Sequence, residues 1–383
     1  MKRITFVTTG LELGGAETML VKLLQRIDSA KFEPTVISLS GLGQLGGGIE
    51  SQGIPVYDAQ VRGARDLLAG AMRLEKCVRA ARPDLIQGWM LHGNFAATLC
   101  GLITGKPVLW GVRHSAPLNV RVAKRSTVLL ERLLAALSRI PKRIVYNSEY
   151  GRYQHEVLGY ASRRAMVIPN GFDLQKFKPD HLSRAAMRRA LQIEDGCFVI
   201  GLVARFDPLK DHDTFLEAVR LVRSEPRMLK VILAGDGCGP ANSELKSMIA
   251  KHSLTNDVLA LGPRHDMAQL TGAFDIAANS SIAEGFANAL GEAMASGVPC
   301  IATRVGDAEM IVGDTGEVVP SGNPEAFGDA IRRMIALGQE GRKELGIRAR
   351  KRIADNFSID TVARQYEALY DDPSRATMPD EMS

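Results

Sequence analysis

One rhythm, run twice, limits what this chain can fold into. In the first half, short apolar runs alternate with helix-like segments: ITFVTTG, Ala16 to Ile27, PTVISLS, Leu67 to Ala81 and DLIQGWM. The pattern restarts near Cys197 with CFVIGLVARF, Thr214 to Val222, LKVILAGDG, Glu244 to Lys251, VLALG, DIAANS and a helix into VPCIATR. Strands alternating with helices are the mark of a parallel sheet covered on its faces, so each half predicts a doubly wound α/β domain. At 383 residues the chain exceeds what one core usually organises, which agrees with two domains. VIPNGFDLQKFKPD, rich in Pro, Gly and Asp and without periodicity, reads as the connection. The expected division is 1–168, then 169–355, then 356–383 as a C-terminal helix returning to the first domain and a frayed tail. Ligands of such sheets bind outside the carboxyl ends of the strands, and a crevice between two such domains is the expected place.

Composition removes several classes of function. The 48 basic and 43 acidic residues leave a formal charge of +5, too mild to imply nucleic acid without a binding motif. Cys77, Cys100, Cys197, Cys238 and Cys300 stand singly, without zinc or disulfide spacing, which fits a reducing, cytoplasmic setting. MKRITFVTTG reads as a buried strand rather than a signal peptide, and no apolar run approaches the roughly 20 residues that span a bilayer. Membrane association is therefore expected to be peripheral. Its candidate is the segment Arg121 to Arg143, where Lys124, Arg125, Arg132, Arg139 and Lys142 interleave with leucines and only Glu131 opposes them. Such a helix can lie on an anionic leaflet, or pack on the first domain with a solvated basic face.

Two glycine-rich loops differ in the strands they follow. GLGQLG, Gly41 to Gly46, has dinucleotide-binding spacing, but it follows the second strand and precedes a poor helix, so a flexible surface loop is preferred over a dehydrogenase site. Gly14 and Gly15 in LELGGAE are better placed, directly between the first strand and a helix, where backbone N–H groups can approach an anion or simply turn tightly.

The segment EGFANALGEAMASGVP carries more. Gly285 permits a turn, Ala287 or Asn288 opens a helix, Gly297 stops it and Pro299 prevents its continuation. Its N-terminus would offer free N–H groups and the positive end of a dipole to phosphate oxygens. Glu284 before the helix and Glu292 within it are too far apart to pair, and a carboxylate at such a point can grip a ribose. Two solvated glutamates would look the same. In GLVARFDPLKDHDTFLEA, Arg205 and Lys210 follow a buried strand and suit a diphosphate leaving group, the alternative being surface pairs with Asp207 or Asp211. DHD at Asp211 to Asp213 has metal-site spacing but begins a helix, for which Asp213 is the expected N-cap.

In order and spacing these motifs, GGAE, IPNGFD, VARFDPLKDH, LAGDG and EGFANALGE followed by ASGVPCIAT, resemble those of the family 4 retaining glycosyltransferases over nearly the whole chain. The resemblance implies a GT-B fold, two Rossmann-like domains facing each other across a cleft, with the donor held mainly by the second. It implies Glu292 on the ribose, Arg205 and Lys210 on the diphosphate, and Glu284 with the backbone of Gly285, Phe286, Ala287 and Asn288 on the transferred sugar and phosphate. Gly14 and Gly15 would close over the donor. His114, after the strand-like PVLWGV, would face the donor sugar, with His92 and Arg113 on the acceptor side. The implied reaction is a front-face, metal-independent transfer from a UDP- or GDP-sugar, without a cofactor, in bacterial lipopolysaccharide, capsule or exopolysaccharide assembly. Two departures, Lys210-Asp211 for the family's Lys-Gly and Gly306-Asp307 for its Gly-Gly, put loop geometry in question. A sugar-nucleotide epimerase of the same fold and a non-catalytic sugar-nucleotide-binding protein remain as alternatives.

Overall fold

The computed structural model describes residues 1–61, 67–114, 125–223 and 228–374. Contacts divide the chain into two units, Met1–Gly171 with Ile359–Ser383, and Phe172–Ser358.

In the first unit the order is β1 (Lys2–Thr8), α1 (Gly15–Leu24), β2 (Phe32–Ser38), α2 (Gly46–Glu50), β3 (Val56–Asp58), α3 (Leu67–Ala81) and β4 (Leu85–Trp89). It continues through α4 (Met90–Thr104), β5 (Val108–Val112), α5 (Arg125–Leu137), β6 (Arg143–Tyr146), α6 (Glu149–Val157) and β7 (Ala165–Val167). The seven strands pair in the order β3-β2-β1-β4-β5-β6-β7, and every pairing is parallel. The inner strands are buried on both faces, which is why β5 is continuously apolar instead of alternating and β4 is interrupted only by the buried Gln87.

The second unit runs α7 (His181–Ala190), β8 (Phe198–Val203), α8 (His212–Val222), β9 (Leu229–Ala234), α9 (Ser243–Lys251), β10 (Val258–Gly262) and α10 (Met267–Gly272). Then come β11 (Ile276–Asn279), α11 (Asn288–Ala295), β12 (Cys300–Thr303), α12 (Ala308–Val312), β13 (Glu317–Val319), α13 (Pro324–Ala336) and α14 (Gly338–Phe357). Its six strands lie parallel in the order β10-β9-β8-β11-β12-β13. In both sheets the order reverses beside the first strand, at β1/β4 and at β8/β11, so the loops after those strands lie side by side.

The last helix, α15 (Ile359–Asp371), belongs to the first unit. Ile359, Val362, Tyr366, Leu369 and Tyr370 are buried in the same core as Ile4, Phe6, Phe32 and Trp89. Tyr370 meets Phe6 and Phe32 edge-on at ring-centroid distances of 6.2 and 5.9 Å. At about 2 kcal/mol per large apolar side chain removed from water, these five residues contribute on the order of 10 kcal/mol, comparable with the whole stability of a domain. The two crossings of the chain also run together, since Phe172 N–H donates to the Phe357 carbonyl at 2.8 Å.

GLGQLG lies in a largely exposed turn before α2, as expected of a surface loop, and is tied to the first strand's loop: Leu45 N–H donates to Leu11 O at 2.9 Å, Ser38 Oγ donates to Gly41 O, and a side chain at Gly43 would overlap the Leu11 backbone. One sequence expectation needs correction here. The cap of α8 is Asp211, which accepts from Thr214 N–H at 3.2 Å, because the helix starts one residue before Asp213. Asp213 instead accepts from Lys251 and His252.

Candidate active site

The reversal of strand order in the second unit brings two loops together. After β8, Phe206 N–H donates to Asp236 O at 2.7 Å, and Gly235 at φ 139° lets the chain pass where a side chain would overlap Ala204 O. Pro208–Lys210 then forms a single 3-10 turn, closed by the Asp207 carboxylate accepting from Leu209 N–H at 2.9 Å. After β11, Ser280 Oγ donates to Lys210 O at 2.8 Å and Ile282 N–H donates to Leu209 O at 2.9 Å. These bonds fix the two loops to each other through backbone atoms.

The result is that the Lys210 ammonium donates to Glu284 Oε1, which also accepts from Ser281 Oγ at 2.9 Å. Asp207 and Asp211, the alternative partners, are engaged in capping their own turns. The two charged side chains are 19% and 13% exposed, so their attraction is less screened than that of a surface pair, and both remain reachable. Arg205 lies on the same loop and is exposed.

Glu284 leads directly into α11. The helix begins at Asn288 with Ala287 as its N-cap, and no side chain caps it. A helix start without a side-chain acceptor keeps its N–H donors and positive dipole end available to an anion. Phe286 and Ala287 are anchors of the turn: Phe286 is stacked at 6.1 Å on Phe172 and meets Phe357 edge-on at 6.0 Å. Only their backbone can face a ligand. Glu292, half-buried, lies within the helix.

Both departures from the family pattern are absorbed locally. Asp211 takes a left-handed conformation, φ 47° and ψ 57°, the region where glycine is easiest and Asp is among the tolerated residues. Gly306, φ +55°, must be glycine, since a Cβ there would stand 2.5 Å from Glu284 O and 2.6 Å from Gly285 O. Asp307 has φ −93°, open to any residue, and its N–H donates to Gly285 O at 3.1 Å.

In the first unit, Gly14 is the extended N-cap of α1 and Gly15 its first residue, with the Glu17 carboxylate lying over Gly14. His92 is the third residue of α4, exposed, and not at a strand end, because Met90 at φ 67° starts the helix directly after β4. Arg113 is buried: it donates to Asn170 Oδ1 and Tyr366 Oη and lies 4.0 Å above the Trp89 ring. That guanidinium ties β5 to the chain near the crossing and to α15.

His114 is partly exposed, and its Nε2 lies 2.6 Å from Glu131 Oε1. Behind it, Tyr160 Oη donates to Glu131 Oε2 at 2.6 Å, and the His155 ring packs edge-on to both His114 and Tyr160. Glu131, His155 and Tyr160 escaped the sequence argument. The available signal was one acid alone in a basic, leucine-rich stretch. Among the described residues, His114, Glu131 and His155 are the group whose ligand atoms, all within 4.8 Å, could hold a metal ion. At 2.6 Å, however, His114 and Glu131 stand closer than the roughly 3.3 Å between two ligands of one tetrahedral ion.

Burial lowers His155 and, in the second unit, His212 to about 4 each, from 6.5. Both are then neutral in the folded chain at pH 5, while unfolded histidines take up protons below about pH 6.5. Stability from these groups is complete above that value and is lost as pH falls toward 4. Thermal unfolding followed by circular dichroism should therefore give a clearly lower midpoint at pH 5 than at pH 7.5, and equal midpoints would contradict it.

The sequence also matches two family models. "Glycosyltransferase Family 4" covers residues 13–176 and "Glycosyl transferases group 1" covers 197–336. The chain is 27% identical over 321 residues to EpsF of Bacillus subtilis, with 78% of each covered. It is 28% identical over 293 residues to the lipopolysaccharide core biosynthesis mannosyltransferase LpsB of Rhizobium meliloti, covering 69% of this chain and 82% of LpsB. It spans 65% of the length of the D-inositol 3-phosphate glycosyltransferase of Geodermatophilus obscurus. The crystal structure of Anabaena Alr3699/HepE in complex with UDP superimposes with a TM-score of 0.83 at 24% identity, covering 97% of this chain and all of that one. With one family model on each unit and a matching fold throughout, the chain belongs to the family 4 glycosyltransferases of the GT-B type.

Proposed function

We propose that the chain is a retaining, metal-independent glycosyltransferase that moves a hexosyl-type unit from a UDP- or GDP-sugar to a hydroxyl acceptor in bacterial surface polysaccharide assembly. The observation that carries this is the junction of Lys210 and Glu284 beside the uncapped start of α11. Arg205, Lys210 and that helix start supply the positive charge a departing diphosphate requires, which elsewhere a metal ion provides. Glu284 and the backbone of Gly285 to Asn288 face the transferred sugar and its phosphate, and Glu292 accepts from the ribose hydroxyls. Gly14 and Gly15 stay donor-side candidates, and His114 serves the transfer step. HepE was crystallised with UDP and with UDP-glucose, and LpsB is named for lipopolysaccharide core biosynthesis, which supports this donor class and setting.

The test is a screen of UDP- and GDP-sugars for thermal stabilisation, followed by transfer assays and NMR of the product's anomeric centre. The expected product keeps the donor's configuration and forms at the same rate in EDTA. Inversion, or loss in EDTA with rescue by Mg²⁺ or Mn²⁺, would sink the mechanism. Conversion of the sugar without any acceptor would favour an epimerase.

A lipid-linked acceptor at the inner face of the cytoplasmic membrane fits one further observation. On α5, Leu129 and Leu133 are exposed, Leu129 at 71%, next to the exposed Arg132. Arg139, Ile140 and Lys142 continue this surface, whereas Arg143 is buried on Arg163 O. Arg121, Lys124 and the Arg125 side chain lie outside the described residues. Among the described residues no helix is long and apolar enough to cross a membrane. Flotation should recover the protein with anionic but not neutral vesicles, and Leu129→Asp should abolish it. Equal recovery with both lipids would refute the interfacial role.

A further inference from the structure

Glu131 occupies the inward face of α5 at 1% exposure, beside the apolar cluster that includes Leu130, Leu134 and Tyr160. An ionised carboxylate withdrawn from water is stabilised only by its donors. Burial raises the Glu131 carboxyl, but the hydrogen bond from His114 and attraction to that ring when protonated, with the hydrogen bond from Tyr160 and a smaller attraction to His155, outweigh it and leave the group lowered from its ordinary value. At pH 7 it is therefore a pure acceptor.

That fact fixes the proton on each neighbouring ring. A carboxylate facing His114 Nε2 at 2.6 Å requires Nε2–H, so in the neutral ring Nδ1 carries the lone pair, and His114 Nδ1, itself buried, has no hydrogen-bond partner among the described residues. In His155, Nδ1 lies 2.8 Å from the Gly151 carbonyl oxygen, which can only accept, so Nδ1 holds the proton. Its Nε2 is then bare, buried and without a hydrogen-bond partner among the described residues, 3.9 Å from Glu131 Oε2. His155 thus does not compete with His114 for the carboxylate. Its ring stands edge-on to His114 at 5.2 Å and blocks that side.

We infer that Glu131 is a positioning residue for His114: it fixes the ring in the Nε2–H tautomer and leaves Nδ1 as the nitrogen that accepts a hydroxyl hydrogen bond or a proton. Tyr160 holds Glu131 by its second oxygen. The inference rests on the proposed role of His114 in the transfer step, and it adds a buried carboxylate and a buried phenol from the first unit to the machinery.

The experiment uses the full chain labelled with ¹⁵N-histidine, with His114 assigned by difference from His114→Ala, and steady-state kinetics with the donor identified by screening. In the parent protein the ¹⁵N shifts should show Nε2–H at His114. In Glu131→Gln, which keeps size and shape, they should show mixed tautomers, with kcat reduced at least tenfold and the donor KM within twofold. Tyr160→Phe should retain the tautomer and lose only a few-fold in kcat. Nδ1–H at His114 in the unaltered protein overturns the inference even if Glu131→Gln does not fold. So does an unchanged kcat in folded Glu131→Gln while His114→Ala is inactive. Full activity of His114→Ala would remove the transfer role of His114 first, and the inference with it. Joint perturbation of His114 and His155 by Zn²⁺, reversed by EDTA, would overturn it in favour of a metal centre.

Discussion

Lys210→Ala is expected to lower kcat by about 10²–10³-fold while the donor KM changes by no more than about threefold, because removing one preorganised donor from a developing anion has this order of cost. The turn of Lys210 is held at its backbone carbonyls by the Ser280 hydroxyl and the Ile282 N–H, so the alanine variant keeps the loop and loses only the ammonium. It also leaves Glu284 half-buried without its cation, which by itself destabilises the turn before α11. The double variant Lys210→Ala/Glu284→Gln separates these effects. It should recover much of the thermal stability and none of the turnover. If the double variant recovers kcat, the lysine serves the fold and not the leaving group.

Glu292→Ala should weaken nucleotide-sugar binding between tenfold and a hundredfold, since a hydrogen bond to a charged group contributes about 1.5–3 kcal/mol. Alanine is the best helix former, and the neighbouring contact, Ser296 Oγ donating to Glu292 O at 3.0 Å, uses the backbone. Helix α11 therefore persists, and any loss reports the carboxylate. Turnover at saturating donor should stay near the parent value. Calorimetric titration with unaltered affinity would contradict the ribose assignment.

The fold was legible where elements are long. The spacing over Leu67 to Ala81 gives α3 to the residue, and the apolar runs give β1, β4 and β5 within two residues and β8 and β9 within three. The short strands β3, β6, β7 and β13 show no periodicity to read, whereas β11 and β12, also four residues long, stand out by the apolar runs they lie in. The helical setting of His92 was not legible, because a left-handed Met90 starts α4 directly after β4 without any linker, and no composition signals that. The site was legible as single loops but not as partners. Lys210 and Glu284 lie 74 positions apart, and only the reversal of strand order beside β8 joins them. Glu131 and Tyr160 come to His114 differently, from the consecutive elements after β5: Glu131 from α5 and Tyr160, which bonds to Glu131, from the turn after α6.

The return of α15 to the first core has a consequence for synthesis. As the polypeptide leaves the ribosome, Phe6, Phe32 and Trp89 are complete early, yet their aromatic partners Tyr366 and Tyr370 arrive only after residues 172–358. At about 5–20 residues per second that delay is roughly ten to forty seconds, during which a greasy trough stays open on a nearly finished sheet. Newborn chains should consequently depend on holding chaperones, and a stop codon just ahead of Ile359 should yield insoluble material even though the whole of the other unit has been translated.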